Sequence, residues 1–110
     1  MRKSIAIVIP SYNEATNIDV LVNALNETVS NLSYDFKFVF VDDGSSDDTI
    51  AILREKSKLQ SNIFYVELSR NFGHQNALKA GIDLVKNDAD AIISMDGDMQ
   101  HPPKIIPKLI

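Results

Sequence analysis

Hydrophobic positions along the chain follow two different periods. Four short runs, IAIVI (5–9), FKFVFV (36–41), IFYVEL (63–68) and AIISM (91–95), are rich in β-branched or aromatic residues and bounded by polar clusters, which predicts four strands. The first and fourth are almost continuously apolar, the pattern of strands covered on both faces. Between the runs the spacing changes to three and four. Ile18, Leu21, Val22, Leu25, Val29 and Leu32 draw one apolar stripe along a helix. Ile50, Ile52, Leu53 and Leu59 mark a second, less regular helix. Ala77, Ala80, Gly81, Leu84 and Val85 give a third helix a small-residue face suited to close packing on a sheet.

The predicted order is β-α-β-α-β-α-β. Crossovers of this length imply a parallel sheet with right-handed connections, a Rossmann-like α/β fold with flanking helices. No linker, repeat or low-complexity tract interrupts it, and 110 residues suffice for one small α/β unit. The chain closes on KIIPKLI, which reads as the start of an apolar-faced element. The expectation is therefore the N-terminal part of a larger domain, with an unpaired sheet edge that favours self-association.

Composition narrows the function classes. With 45% hydrophobic and 24% charged residues the chain is an ordinary globular sequence. Its net charge of −4, with 11 scattered Lys and Arg, argues against a nucleic-acid partner. No apolar run approaches the roughly 20 residues that span a bilayer. The Ile5–Ile9 run is too short, and lacks the cleavage site, for a signal peptide. The absence of cysteine excludes disulfides and thiolate metal sites and fits a cytoplasmic location.

Ligands of open parallel sheets bind outside the carboxyl ends of the strands. The segments that follow the four predicted strands are PSYNE (10–14), DDGSSDDT (42–49), SRNFGHQN (69–76) and DGDMQ (96–100). The opposite strand ends carry plain polar turns, NLSYD and KLQSN, so the unusual chemistry gathers on one edge. Each segment also has a bland role. PSYNE can end a strand and cap a helix through Asn13 or Thr16, with Glu14 favourable to the helix dipole. Asp47 and Asp48 suit a helix's first turn. Asp42 and Asp43 are less easily dismissed, since adjacent carboxylates at a buried strand's end repel unless something accepts them. His74 is given no role.

Asp96-Gly97-Asp98 is both a common turn and a possible metal device. A calcium loop beginning at Asp96 would need Gly and Glu where His101 and Pro107 stand. No dinucleotide or P-loop glycine pattern occurs. Two carboxylates two residues apart at a strand's end are hard oxygen donors suited to Mg²⁺ or Mn²⁺ with a diphosphate partner. The turn reading stays open beside the metal reading.

IVIPSYNE, VDDGSSDDT, SRNFGHQNALKAG and MDGDMQHPP together resemble, in order and spacing, the N-terminal half of family 2 glycosyltransferases with the GT-A fold. The branch they look closest to is that of dolichyl-phosphate mannose synthases and bactoprenol glucosyltransferases. The resemblance implies a UDP- or GDP-sugar donor, inversion at the sugar, and a polyprenyl phosphate acceptor. It also implies that the full-length protein works at the cytoplasmic face of a membrane. Pro10, Tyr12 and Glu14 match the segment lining the nucleoside pocket, with Tyr12 on the base. Asp43 matches the carboxylate that hydrogen-bonds the base edge, supported by Asp42. Asp96 and Asp98 match the catalytic D-x-D pair, both counted toward the metal, with Asp96 and Gly97 also facing the ribose or sugar. Gln100 matches a further metal-side residue, and Arg70 and Lys79 are cationic partners for phosphate or sugar. Alternatives are a relative that extends a saccharide through a hydroxyl acceptor, and a nucleotide-binding remnant without catalysis. The family's domain is considerably longer than this chain, so the expectation is weak nucleotide binding without transfer by these residues alone.

Overall fold

The computed structural model describes residues 3–95. Its elements are β1 (Ser4–Ser11), α1 (Ala15–Val29), β2 (Asp35–Asp42), α2 (Thr49–Leu59), β3 (Ile63–Glu67), α3 (His74–Val85) and β4 (Ala91–Ser94). The expected alternation is present, and all strand pairs are parallel in the order β3-β2-β1-β4.

The two-residue period of the strands divides the core between the sheet's faces. Ile5, Ile7, Ile9, Phe38, Phe40 and Ile63 pack with Ile18, Leu21, Val22 and Leu25 of α1 and Leu53 of α2. On the other face Val8 and Val41 meet Ala77 of α3, with Leu78, Ile82 and Val85 against them. Helices on both sides explain why the first run is continuously apolar: β1 is buried from Ile5 to Ser11. The small-residue face of α3 permits a close approach. A Cβ on Gly81 would lie 2.5 Å from Val8 Cγ1 and 2.8 Å from Val41 Cγ2.

Several sequence expectations need correction. β1 continues two residues past the predicted end, through Pro10 and Ser11. Alternate residues of a strand in a parallel sheet bond to opposite neighbours. The Ser11 carbonyl accepts from Asp43 N–H on the β2 side, and the Val8 carbonyl from Met95 N–H on the β4 side. Pro10 therefore faces β4, past Val8–Ser94, the last described pair, so its missing N–H breaks no ladder bond among the described residues. Leu32 falls in the turn after α1. Leu59 is 72% exposed at the last position of α2, because six residues at 100° each turn it away from Leu53. Leu84 has the right period but is 57% exposed. It overhangs a groove of about 260 Å³ lined by Val39, Phe64, Val66 and Val85, toward the amino ends of the strands.

Candidate functional site

The segments that leave β1, β2 and β3 at their carboxyl ends are joined by hydrogen bonds. Asn13 is the hub of the first junction. Its backbone is left-handed (φ 53°), a conformation that Asn tolerates better than most residues. That turn directs its side-chain Oδ1 to the next loop, where it accepts from Ser46 N–H (2.8 Å) and Asp47 N–H (3.3 Å). Its own N–H donates to Ser45 Oγ at 2.9 Å. The first amides of α1 are then capped from the neighbouring loop rather than locally. Glu14 N–H donates to buried Thr49 Oγ1 at 3.0 Å, and Ala15 N–H to Asp47 Oδ2 at 3.2 Å. The other Asp47 oxygen accepts from Thr49 N–H and Oγ1 at the start of α2. Burial pushes the Asp47 carboxyl up, but the Thr49 and Ala15 donors outweigh it and hold it below the ordinary carboxylate range.

Asp43 makes the second junction. Only 3% exposed, it accepts Phe72 N–H at Oδ1 (2.8 Å) and Gly73 N–H at Oδ2 (3.1 Å), just before α3. A carboxylate on these amides meets the positive end of the helix. Gly44 completes the joint. Its φ of 73° is left-handed, and a Cβ there would collide with the backbone carbonyl carbon of Arg70 and nitrogen of Asn71. Only glycine lets these two loops touch.

Asp42 points to the opposite face, in register with Ser11 of β1 and Glu67 of β3. It is 2% exposed, and its Oδ1 has no hydrogen-bond partner among the described residues. Burial raises its carboxyl above the ordinary value, Ser45 hydrogen bonds pull it down, and the nearby charges of Glu67 and Asp47 push it up further. The adjacent acids thus occupy different environments, one with each oxygen on a backbone amide just before α3 and one with an oxygen unpartnered among the described residues.

The remaining candidate residues are placed as follows. Pro10 is buried in β1, and Tyr12 is 47% exposed just beyond the strand. Glu14 precedes α1, its carboxylate held by Asn17 Nδ2 at 2.7 Å. Arg70 is exposed, its guanidinium 4.4 Å from the centre of the Phe72 ring. Lys79 is exposed on α3, two positions from each of the sheet-facing Ala77 and Gly81, and so faces away from the sheet. Asp96, Gly97, Asp98 and Gln100 lie outside the described residues. The chain leaves β4 at Ser94 beside Val8 of β1, where the strand order reverses and open α/β sheets bind ligands. The sequence reading overlooked Asn13 as a junction and Phe72 altogether. An Asn at a strand-to-helix turn was the available signal for the first. For Phe72 an aromatic two residues after Arg70 was too general to notice.

With this geometry in place, similarity to known proteins decides the family. Residues 6–110 match the glycosyl transferase family 2 model. The chain belongs to glycosyl transferase family 2. It is 38% identical over 109 residues to an undecaprenyl-phosphate 4-deoxy-4-formamido-L-arabinose transferase of Pseudomonas savastanoi pv. phaseolicola, covering 98% of this chain and 32% of that protein. The chain spans about a third of the length of the curated relatives it matches. Among solved structures it resembles the mannosyltransferase PcManGT of Pyrobaculum calidifontis, in complex with GDP-Man and Mn²⁺, with a TM-score of 0.71 at 23% identity over 89% of this chain and 28% of that one. It also resembles glucosyl-3-phosphoglycerate synthase of Mycobacterium tuberculosis, in complex with Mn²⁺, UDP and glucosyl-3-phosphoglycerate. There the TM-score is 0.66 at 22% identity over 96% of this chain and 37% of that one. At these identities the structural likeness concerns the fold alone, the α/β arrangement of GT-A glycosyltransferases.

Proposed function

We propose that residues 1–110 form the donor-binding part of a metal-dependent glycosyltransferase that takes a nucleotide-diphospho-sugar and transfers the sugar with inversion to a polyprenyl phosphate. The observation that carries this reading is the lacing of the loops after β1, β2 and β3 into one rim at the carboxyl edge of the sheet. Tyr12 and Arg70 are exposed on these loops and Asp43 is fixed between two of them. A preorganised rim of this kind binds without first ordering its loops.

Each residue then has a definite task. The Tyr12 ring offers an apolar face to the base. Asp43 accepts one backbone N–H on each oxygen, and a carboxylate has about four acceptor positions, so capacity remains for an N–H of the base edge. Asp42 supports that strand end from the other face of the sheet. Arg70 presents a guanidinium to the diphosphate or sugar, as Lys79 would from α3. The donor set of Asp96, Asp98 and Gln100 is all oxygen and fits a hard divalent cation, Mg²⁺ or Mn²⁺. Such an ion, when bound, neutralises charge on the leaving diphosphate. Both structural neighbours named above hold Mn²⁺.

A phosphate acceptor is already ionised at neutral pH and needs no general base, whereas a hydroxyl acceptor does. The name of the undecaprenyl-phosphate relative supports the phosphate acceptor. A lipid acceptor would bring the complete protein to the cytoplasmic face of a membrane. Among the described residues no helix is long and apolar enough to cross one.

Titration of the chain with UDP- and GDP-sugars, with and without Mn²⁺, tests the reading. One base class should bind, more tightly with metal. Asp98→Ala should remove the metal-dependent part, and Asp43→Asn should weaken binding by roughly tenfold or more, the worth of a charged hydrogen bond. Metal-dependent binding that survives Asp98→Ala would refute the metal assignment. Wild-type chain that binds neither nucleotide would refute the donor site.

A further inference from the structure

The Arg70–Phe72 pair lies between the base-facing acid and the start of α3. Phe72 is a large apolar side chain left 39% exposed in a polar loop, which core packing does not account for. Its backbone is held on both sides. Asp43 Oδ1 accepts its N–H at 2.8 Å, and Asn76 Nδ2 donates to its carbonyl at 2.8 Å. The centre of its ring lies 4.4 Å from Arg70 Cζ. No carboxylate pairs with Arg70 among the described residues. Behind it, the glycine at position 44 admits the Arg70–Asn71 backbone to a distance that any side chain would forbid.

The mode of support matters chemically. A carboxylate would hold a guanidinium by its in-plane N–H groups and consume the donors an anion needs. An aromatic ring holds it by its flat face and leaves those donors free for bidentate contact with phosphate.

We propose that Phe72 is a positioning residue: its ring carries the Arg70 guanidinium toward the diphosphate of the donor, and its N–H ties that platform to Asp43. The base-reading acid and the phosphate-reading cation are thereby set at a fixed separation by one residue. The inference rests on the donor-site reading above.

The test compares nucleoside with nucleoside diphosphate, using uridine against UDP and guanosine against GDP, by calorimetry on the wild-type chain and on Phe72→Leu and Phe72→Trp. The ratio of the two affinities isolates the gain from the diphosphate. Phe72→Leu, which keeps apolar bulk and removes the ring, should reduce that ratio by about threefold, in line with an exposed cation–π contact. It should leave nucleoside affinity unchanged, while Phe72→Trp preserves the ratio. In an Arg70→Ala background Phe72→Leu should have no further effect on the ratio.

An unchanged ratio in Phe72→Leu overturns the proposal. So does an equal loss of nucleoside and diphosphate binding, which is what a purely structural role predicts. Phe72→Trp behaving like Phe72→Leu would likewise overturn it. Wild-type chain that binds neither UDP nor GDP removes the donor-site reading and this proposal together. Wild-type binding with a ratio insensitive to Phe72 removes the proposal alone.

Discussion

Asp42 and Asp43 are neighbours in sequence and opposites in physical state. Asp43 caps amides at the start of α3, whereas Asp42 is buried with one oxygen unpartnered among the described residues and its carboxyl is raised by desolvation first. Because the folded form of Asp42 binds its proton more tightly than the unfolded chain does, its contribution to stability is full below the ordinary value near 3.8. It is lost as pH rises through the raised folded value. Asp42→Asn should therefore gain on the order of 1 kcal/mol over wild type at pH 8. The gain should vanish near pH 3.5, as read from urea midpoints at the two pH values. Asp47 has the opposite sign. Its lowered carboxyl gives stability that is present above the ordinary carboxylate value and lost as pH falls through the lower folded one. The pair of adjacent acids was visible in the sequence as an anomaly. Which acid would find donors was not, because the strand's alternation sends one side chain toward α3 and the other toward α2.

At the scale of elements, α3 shows how a helix is fitted to a sheet. Ala77 and Gly81 form the contact, and the missing side chain at Gly81 accommodates Val8 and Val41. Gly81→Ala gains about 1 kcal/mol of intrinsic helix stability but overpacks a stiff, buried valine pair, at a cost of about 1–3 kcal/mol. The net expectation is a modest loss in urea unfolding that Val8→Ala relieves when combined with it. An equal loss in both backgrounds would show that the contact is not the cause. The strands and the three helices were legible from periodicity because burial on one face repeats at 2.0 or 3.6 residues. The failures were at ends and margins. Leu59 and Leu84 are apolar without being buried, since helix phase and the extent of the sheet, rather than residue type, decide what is covered. The cap of α1 was expected from its own Asn13 or Thr16 and comes instead from Thr49 and Asp47, more than 30 residues away in the chain.

The described residues form a parallel sheet with α1 and α2 on one face and α3 on the other, and the loops that carry most of the candidate residues gather at one edge. Parallel strands all end on the same side, so the loops after them become neighbours whatever their separation in sequence. The main core, centred on Phe38 and Phe40 of β2, supports that edge from below. Phe38→Ala should cost about 3–5 kcal/mol in denaturant unfolding. A loss below about 1 kcal/mol would mean that this face of the sheet is not the cooperative core. Among the described residues the two faces are unequally covered, since the groove beneath Leu84 and Phe64 lies on the α3 side.

Sequence by itself determined the order of elements, the parallel α/β class, the edge that carries the unusual residues and, through four motifs in register, the family. These follow from local periodicity and from residue types that need no knowledge of the fold. Tertiary structure alone decided that Asn13 ties the first loop to the second, that Asp43 ties the second to the third, and that Asp42 keeps an oxygen without a partner among the described residues. It also placed the Arg70 guanidinium over the Phe72 ring. Hydrogen bonds between residues about 30 positions apart depend on how strands align side by side, and no spacing in a linear sequence encodes that alignment.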